Sequence, residues 1–265
     1  MPYYAHLKYV AIELTNACNL KCKICWSQNP KLRPPRPKGF MTKELFTKVI
    51  NELAQDPENH SIALHYAGES TLHPMFKEFS YQAKNSGIAE VTLATNGLLL
   101  NPENRKTILE CYHKVAVSLH NQPDLGASIR NMIQLEKENL AAGKKCGVRV
   151  NITQDEFTME QLQEIYGRLM FEVEFVREFR EITEDMKLKF RRGPMSGFCP
   201  SKYWYLAVLW NGDTLPCCHM LSSGDWSLGN VVEKSLHDVF YGYKYKRLRQ
   251  GHEKNTPCLN CEVRK

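Results

Sequence analysis

Three thiols lie within eight residues in the stretch LTNACNLKCKIC, residues 14–25, where Cys18, Cys22 and Cys25 stand in CX3CX2C spacing. Cysteines this close can form a disulfide, bind zinc or carry an iron–sulfur cluster. A structural zinc site closes with four ligands, and no fourth ligand stands beside these three. A 4Fe–4S cluster held by three thiolates leaves one iron open to another molecule, and an open iron is a reactive one. A second set, Cys199, Cys217, Cys258 and Cys261, brackets the C-terminal region. Four thiols in two halves fit either a zinc ribbon or a cluster whose every iron has a protein ligand. The latter suits electron transfer or structure rather than substrate binding. Cys111 and Cys146 read as ordinary buried residues.

Composition narrows the choice. The chain has 265 residues, 43% hydrophobic and 24% charged, and ten cysteines. It shows no apolar run of membrane-spanning length and no charged-then-apolar leader, which describes a cytoplasmic globular protein. Reducing surroundings and a chain long enough for an ample core argue against a disulfide framework. The formal net charge of +6 is mild, and the basic residues cluster in KLRPPRPKG, KLKFRRGP and YKYKRLRQGHEK. Solvated faces explain such runs; an anionic substrate is the other reading, and nucleic acid is not expected, since no binding motif accompanies the charge.

The elements that must position the thiols follow from periodicity. Short β-branched runs at 9–14, 61–68, 90–97, 114–120, 147–153 and 171–179 alternate with amphipathic segments near 42–54, 75–86, 102–112, 125–142 and 158–169. Thr42, Pro74, Asn101-Pro102 and Thr158 with Gln161 mark helix starts. Six strands and five helices in alternation predict an α/β fold, a parallel sheet curled into a partial barrel with its chemistry at the strand C-termini. The cysteines follow strand 1, AGES ends strand 2, TNG ends strand 3 and SLHN ends strand 4. Residues 1–181 form this barrel, 182–198 a linker and 199–265 a small second domain. That domain has a β-hairpin turned at Asn211-Gly212-Asp213 and a helix from Ser235 to about Gln250, stopped by Gly251.

The CX3CX2C motif after the first strand, together with Gly68-Glu69 of AGES, resembles the radical S-adenosylmethionine (radical SAM) superfamily, whose second motif is GGEP. The resemblance covers essentially the whole chain. It implies a partial (β/α)6 barrel and a 4Fe–4S cluster on Cys18, Cys22 and Cys25 whose open iron is chelated by S-adenosylmethionine (SAM). One electron then cleaves SAM to methionine and a 5′-deoxyadenosyl radical. Gly68 would let the backbone approach the methionine, and Glu69 would take its ammonium. Ile24 stands where the family usually has an aromatic residue, with Trp26 beyond it, which shifts the adenine packing. Ser70 replaces the usual proline and is expected to loosen the turn. Ser118 and Asn151 occupy places from which the family contacts the SAM carboxylate or ribose. Asn151 is expected to share the interior with Arg149 only through a bulge, one of the two otherwise facing out. Asn96 makes an Asn-Gly turn.

Cys199, Gly212 and Cys217 followed by CLNC resemble the SPASM/twitch extension of the same superfamily, with Cys258 and Cys261 as the next pair. Because the chain ends four residues after Cys261, the shorter twitch form with one auxiliary 4Fe–4S cluster is implied, for two clusters in all. The length, the short lead and the cysteine spacing resemble the 2-deoxy-scyllo-inosamine dehydrogenase-like members. That likeness implies two-electron oxidation of a small polar, sugar or aminocyclitol-like, substrate with the auxiliary cluster as electron acceptor. Arg149, His120 and Cys218 are the candidate catalytic residues, with Arg177 and Arg180 as further charged guides and His65 as another candidate substrate contact. An electron donor such as flavodoxin or ferredoxin is the implied partner. Modification of a ribosomal peptide is the alternative, disfavoured by a first strand that begins within about nine residues. A zinc-binding nucleic-acid module is the remote one.

Overall fold

The computed structural model describes residues 6–23, 25, 27–30, 36–120, 124–152, 157–172, 179–181, 201–217 and 227–251. Six strands, β1 (Tyr9–Ile12), β2 (Ser61–Ala63), β3 (Glu90–Thr95), β4 (Lys114–Leu119), β5 (Gly147–Ile152) and β6 (Phe179–Glu181), pair in parallel in chain order. Between them run α1 (Lys43–Leu53), α2 (Phe76–Asn85), α3 (Pro102–Cys111), α4 (Leu125–Ala141) and α5 (Met159–Glu172). The α/β alternation expected from the sequence is therefore the observed one. Among the described residues, no helix is long and apolar enough to cross a membrane.

Local chemistry sets the helix starts. Thr42 caps α1 through the Leu45 amide, and Asn101 caps α3 through that of Asn104 with Pro102 in the first turn. Before α5, Thr158 and Gln161 form a reciprocal box, Thr158 N–H donating to Gln161 Oε1 (2.9 Å) and Gln161 N–H to Thr158 Oγ1 (3.2 Å). Near Pro74 a 3-10 turn over Ser70–Leu72 comes first, and α2 begins at Phe76, one residue beyond the expected 75.

Alternation splits the sheet into two faces. Ile62, Val91, Leu93, Val115, Val117, Leu119, Val150 and Ile152 join helix residues such as Phe46, Phe79, Ile129 and Leu162 in one buried core. The other face is paved with small side chains, Ala11, Ala63 and Ala207 among them, with Tyr9, Tyr66 and Tyr205 at one side. Across β3–β5 this inner, concave face of the partial barrel, formed by Thr92, Ala94, Ala116, Ser118, Arg149 and Asn151, is only half-buried, the hollow of the sheet.

Several expectations change in detail. Of the sixth strand expected at 171–179, the first two residues belong to α5, which runs through Glu172, 173–178 lie outside the described residues, and β6 occupies Phe179–Glu181. The single helix from Ser235 becomes α6 (Leu236–Phe240) and α7 (Tyr243–Gly251). The break falls at Gly242, where a Cβ would lie 2.3 Å from the Asp238 carbonyl oxygen, and Gly251 ends α7 inside it. β7 (Tyr205–Val208) and β8 (Thr214–Leu215) do form the hairpin, but β7 also pairs in parallel with β1, Tyr9 to Tyr205 through Ile12 to Val208. The sheet order is therefore β6-β5-β4-β3-β2-β1-β7-β8. Finally, Arg149 and Asn151 need no bulge. The register from Lys114–Gly147 to Leu119–Ile152 is unbroken, and residues two apart in a strand share a face.

Candidate functional site

The cysteine loop leaves β1 at the sheet's C-terminal edge. Leu14 is buried beneath it, and the loop is then tied by its own polar side chains. Thr15 Oγ1 donates to the Gly39 carbonyl (2.6 Å) and accepts from the Ala17 amide (3.0 Å). Asn16 donates to the Pro37 carbonyl and accepts from the Gly39 amide, and Lys38 donates to the Asn16 carbonyl. The described part of the basic stretch before α1, residues 36–39, is thus a strap across the cysteine loop. Arg36 in that strap pairs at 2.5 Å with Glu13, whose side chain is fully buried, and the ring of Trp210 packs on Gly39.

Cys18, Cys22 and Cys25 are all partly exposed thiols, none of them in a disulfide. Cys18 Sγ receives the Leu20 amide (3.4 Å) and Asn96 Nδ2 (3.9 Å), donors of the kind that stabilise a thiolate. As a lone thiol it is held above its usual pKa, first by burial, with Glu69 and Cys25 adding to the effect. The Lys38 ammonium is held below its usual value, again first by burial, while the Cys18 thiolate opposes that shift. A cavity of about 200 Å³ opens here beside Cys18, Ser27, Gln28 and Lys38. A larger one, of about 770 Å³, lies near the strand N-termini around His6, Asp56, His60 and His237. Size alone does not mark the site, because that larger space is lined by none of the motif residues.

The AGES loop seats directly on the cysteine loop. Glu69 N–H donates to the Ala17 carbonyl (2.8 Å), and a Cβ on Gly68 would lie 2.2 Å from the Thr15 carbonyl oxygen and 2.6 Å from that of Ala17. The close approach that demands glycine is to the chain itself. Gly68→Ala is therefore expected to displace the cysteine loop and lower iron incorporation at least several-fold, measured as iron per chain after anaerobic reconstitution; unchanged iron content would refute the packing argument.

Glu69 is 2% exposed. Its Oε1 accepts from the Thr71 amide (3.2 Å), Thr71 Oγ1 (2.7 Å) and Thr95 Oγ1 (2.9 Å), and its Oε2 from the Asn96 amide (2.8 Å). Burial pushes this carboxyl above its ordinary range and the hydrogen bonds pull it back. It is neither a surface residue nor a simple ligand contact, since it latches the end of β3 to the cysteine loop and keeps spare acceptor capacity on Oε2. Ser70, expected to loosen the turn, instead closes it, its Oγ donating to the Leu64 carbonyl at 2.6 Å where proline could not.

Asn96 was legible only as a turn former. Besides capping that turn through Leu98 N–H, it donates to Asn19 Oδ1 (2.8 Å) and to Cys18 Sγ. Lys38 carried no signal beyond belonging to a basic run. On the concave face Ser118 pairs with Asn151 and Ala116 with Arg149 in the β4–β5 register, while Asn151 pairs with Arg180 of β6. Asn151 Oδ1 is buried without a partner among the described residues, a vacancy suited to a ligand's donor. His120 follows β4 and is half-buried. Tyr66 O–H donates to the Cys217 carbonyl (3.2 Å), joining the AGES loop to the first described cysteine of the C-terminal set. Cys111 and Cys146 are buried, and burial pushes both thiols up to about 12, as expected of inert core cysteines. Ile24, Trp26, Arg177, Cys199, Cys218, Cys258 and Cys261 lie outside the described residues. No group of three or more His, Cys, Asp or Glu side chains among the described residues is gathered tightly enough for a single metal ion.

Residues 12–140 match a model of the radical SAM superfamily, and residues 199–262 match one of an iron–sulfur cluster-binding domain, SPASM, together more than half of the chain. The chain is 24% identical to the tungsten-containing aldehyde ferredoxin oxidoreductase cofactor-modifying protein of Pyrococcus furiosus, over 97% of this chain and 88% of that protein. Among solved structures it is similar to BtrN in complex with AdoMet and 2-DOIA, with a TM-score of 0.69 and 18% identity over 97% of this chain and 93% of that one. It is also similar to Streptococcus suis SuiB bound to precursor peptide SuiA, with a TM-score of 0.70 and 18% identity over 98% and 70%. At such identities the structural likeness establishes the fold.

Proposed function

Because the chain belongs to the radical SAM superfamily and carries a SPASM iron–sulfur domain, we propose that it completes a two-electron oxidation of a small polar, sugar or aminocyclitol-like, substrate. Its cofactors are SAM and 4Fe–4S clusters, one in the radical SAM domain and an additional one in the C-terminal domain. Held at the cluster of Cys18, Cys22 and Cys25, SAM would supply the chemistry of hydrogen-atom abstraction from a substrate carbon.

The chain's own residues bind and orient. Cys18, Cys22 and Cys25 hold the first cluster, with the Leu20 amide and Asn96 amide group directed at the Cys18 sulfur. The free capacity of Glu69 Oε2 faces an ammonium, and Asn151 Oδ1, an acceptor, suits a ribose hydroxyl better than a carboxylate. Ser118 stands beside it. Cys199, Cys217, Cys258 and Cys261 would hold the auxiliary cluster, which would supply an acceptor for the substrate's second electron. Arg149 guides the substrate from the sheet floor, His120 contacts it from the end of β4, and Cys218 is the candidate hydrogen donor should the outcome be redox-neutral. Residues 1–181, 182–198 and 199–265 serve as barrel, linker and auxiliary-cluster domain, with the shared sheet holding the last against the first. A flavodoxin or ferredoxin supplies the electron, met by the exposed Lys21 and Lys23 of the cysteine loop.

The observation that carries this reading is the half-buried inner face of β3–β5, where Ala94 and Ala116 lie beside Arg149 and Ser118 lies beside Asn151. A small hydroxylated ligand fills such a space and satisfies its polar edges. The name of the Pyrococcus relative points the same way, toward a small cofactor as the molecule modified. A second reading, modification of a ribosomal peptide, draws on the likeness to SuiB captured with its precursor peptide. The family match sets aside the zinc-binding nucleic-acid module.

Anaerobic incubation with SAM, reductant and candidate aminocyclitols or peptides separates the readings. Formation of 5′-deoxyadenosine with a substrate mass loss of about two units supports oxidation. A peptide product instead, or no mass change with uptake of solvent deuterium, overturns it.

Within this scheme Glu69→Gln introduces an amide N–H against donors that need an acceptor. It is expected to cost about 1–3 kcal/mol of stability and roughly tenfold to a hundredfold in SAM affinity. Thermal melting and equilibrium dialysis with labelled SAM measure the two effects; unchanged affinity would remove Glu69 from the SAM site.

A further inference from the structure

Resting on the reading of a small polar substrate, we propose that His65 Nδ1 is the hydrogen-bond acceptor for a hydroxyl or ammonium group of that substrate, at the floor of the concave face.

His65 follows β2 by two residues. Leu64, just before it, is fully buried in the core that faces the helices, and its amide donates to the Thr92 carbonyl at 2.9 Å, carrying the β2–β3 ladder to this point. Strand alternation then sets His65 on the side of Ala63, toward the hollow. The ring bonds the Thr92 backbone, an interaction that favours the protonated ring, so a ring N–H donates to a carbonyl. Nδ1 is buried and has no partner among the described residues. The donor is therefore Nε2, and this tautomer leaves the Nδ1 lone pair open. Burial drives the ring pKa down to about 4, so at neutral pH the group is an acceptor and not a cation. A buried acceptor without a partner is unfavourable unless a ligand completes it.

The surroundings define the ligand. Continuing the register from Ala63–Thr92 places His65 in the row of Ala94, Ala116 and Arg149. Two alanines pave the floor between a neutral acceptor and a guanidinium whose backbones stand roughly 14 Å apart across three strand spacings. That width suits one six-membered ring with polar substituents at both ends. Asn151 Oδ1, one row nearer the mouth, is a second buried acceptor without a partner on the same face. Acceptors at these places select hydroxyl and ammonium groups, and His65 would repel a carboxylate or phosphate.

The test uses the full reconstituted chain with SAM and two probes, 2-deoxy-scyllo-inosamine and scyllo-inositol, with dissociation constants from anaerobic calorimetry. Tight binding to the wild type, a loss on the order of tenfold in His65→Ala, and recovery to within about threefold in His65→Asn, whose amide oxygen approximates Nδ1, support the assignment. Equal affinity in wild type and His65→Ala overturns it, as does an equal loss in both variants accompanied by a lowered melting temperature. If His65→Ala does not fold, the ring-nitrogen NMR shifts of the wild type decide. Nδ1 must move upfield on probe binding while the ring stays neutral, and an unmoved Nδ1 in a chain saturated with probe overturns the assignment. A wild type that binds neither probe overturns the small-substrate reading and this inference together, an outcome distinct from the failure of His65 alone.

Discussion

Replacing Cys18, Cys22 and Cys25 together by alanine is expected to abolish SAM cleavage while leaving about half of the bound iron, since in the proposed scheme each of the two 4Fe–4S clusters has its own thiolate ligands. The two sets stand on different parts of the sheet, the first following β1 and Cys217 following the β7–β8 hairpin. The fold should survive the change. The cysteines are partly exposed, whereas the loop is held by Thr15, Asn16 and the strap. Detection of 5′-deoxyadenosine by chromatography and iron per chain by colorimetry give the two readouts. A triple variant that still cleaves SAM would end the assignment of this loop as the radical-generating site.

Removing Cys258 and Cys261 should have the complementary effect: SAM is still cleaved, without oxidised product. The barrel loop, its strap and the Glu69 latch contain neither residue, so hydrogen abstraction keeps its machinery. Oxidation of a carbinol carbon also requires the substrate to give up a second electron, and the auxiliary cluster is where that electron goes in this reading. A purely structural metal centre predicts a different pattern, in which loss of two ligands unfolds the C-terminal region and lowers solubility and SAM cleavage together. Circular dichroism alongside turnover separates the two. A folded double variant that forms product in full yield would leave the second cluster as a scaffold.

The two outcomes also test the Tyr66–Cys217 contact as a structural link. That hydrogen bond ties the loop carrying Gly68 and Glu69 to Cys217, a proposed ligand of the auxiliary cluster. Disturbance at one site therefore has a short covalent and hydrogen-bonded route to the other, and the spectroscopic signature of each cluster is best recorded in both variants.

By itself the sequence determined the cysteine spacing, the order of strands β1 to β5 with helices α1 to α5, and the caps at Thr42, Asn101 and Thr158–Gln161. These are local properties, carried by residues within a turn or two of one another. Tertiary structure decided the rest. β7 returns to pair with β1 from almost two hundred residues away, which no local pattern records. Ser70 looked like a lost proline until its hydroxyl met the Leu64 carbonyl, and Glu69 like a ligand contact until Thr95 and Asn96 from the next strand closed on it. The shared face of Arg149 and Asn151 follows from period-two alternation, but only an unbroken β4–β5 register excludes the bulge that would have parted them. The open Nδ1 of His65 depends on which carbonyl its ring finds, and burial on the sheet's hollow side is what keeps that nitrogen neutral and without a protein partner. Such features arise where chain segments distant in sequence exclude water together, so their energetics exist only once the sheet has formed.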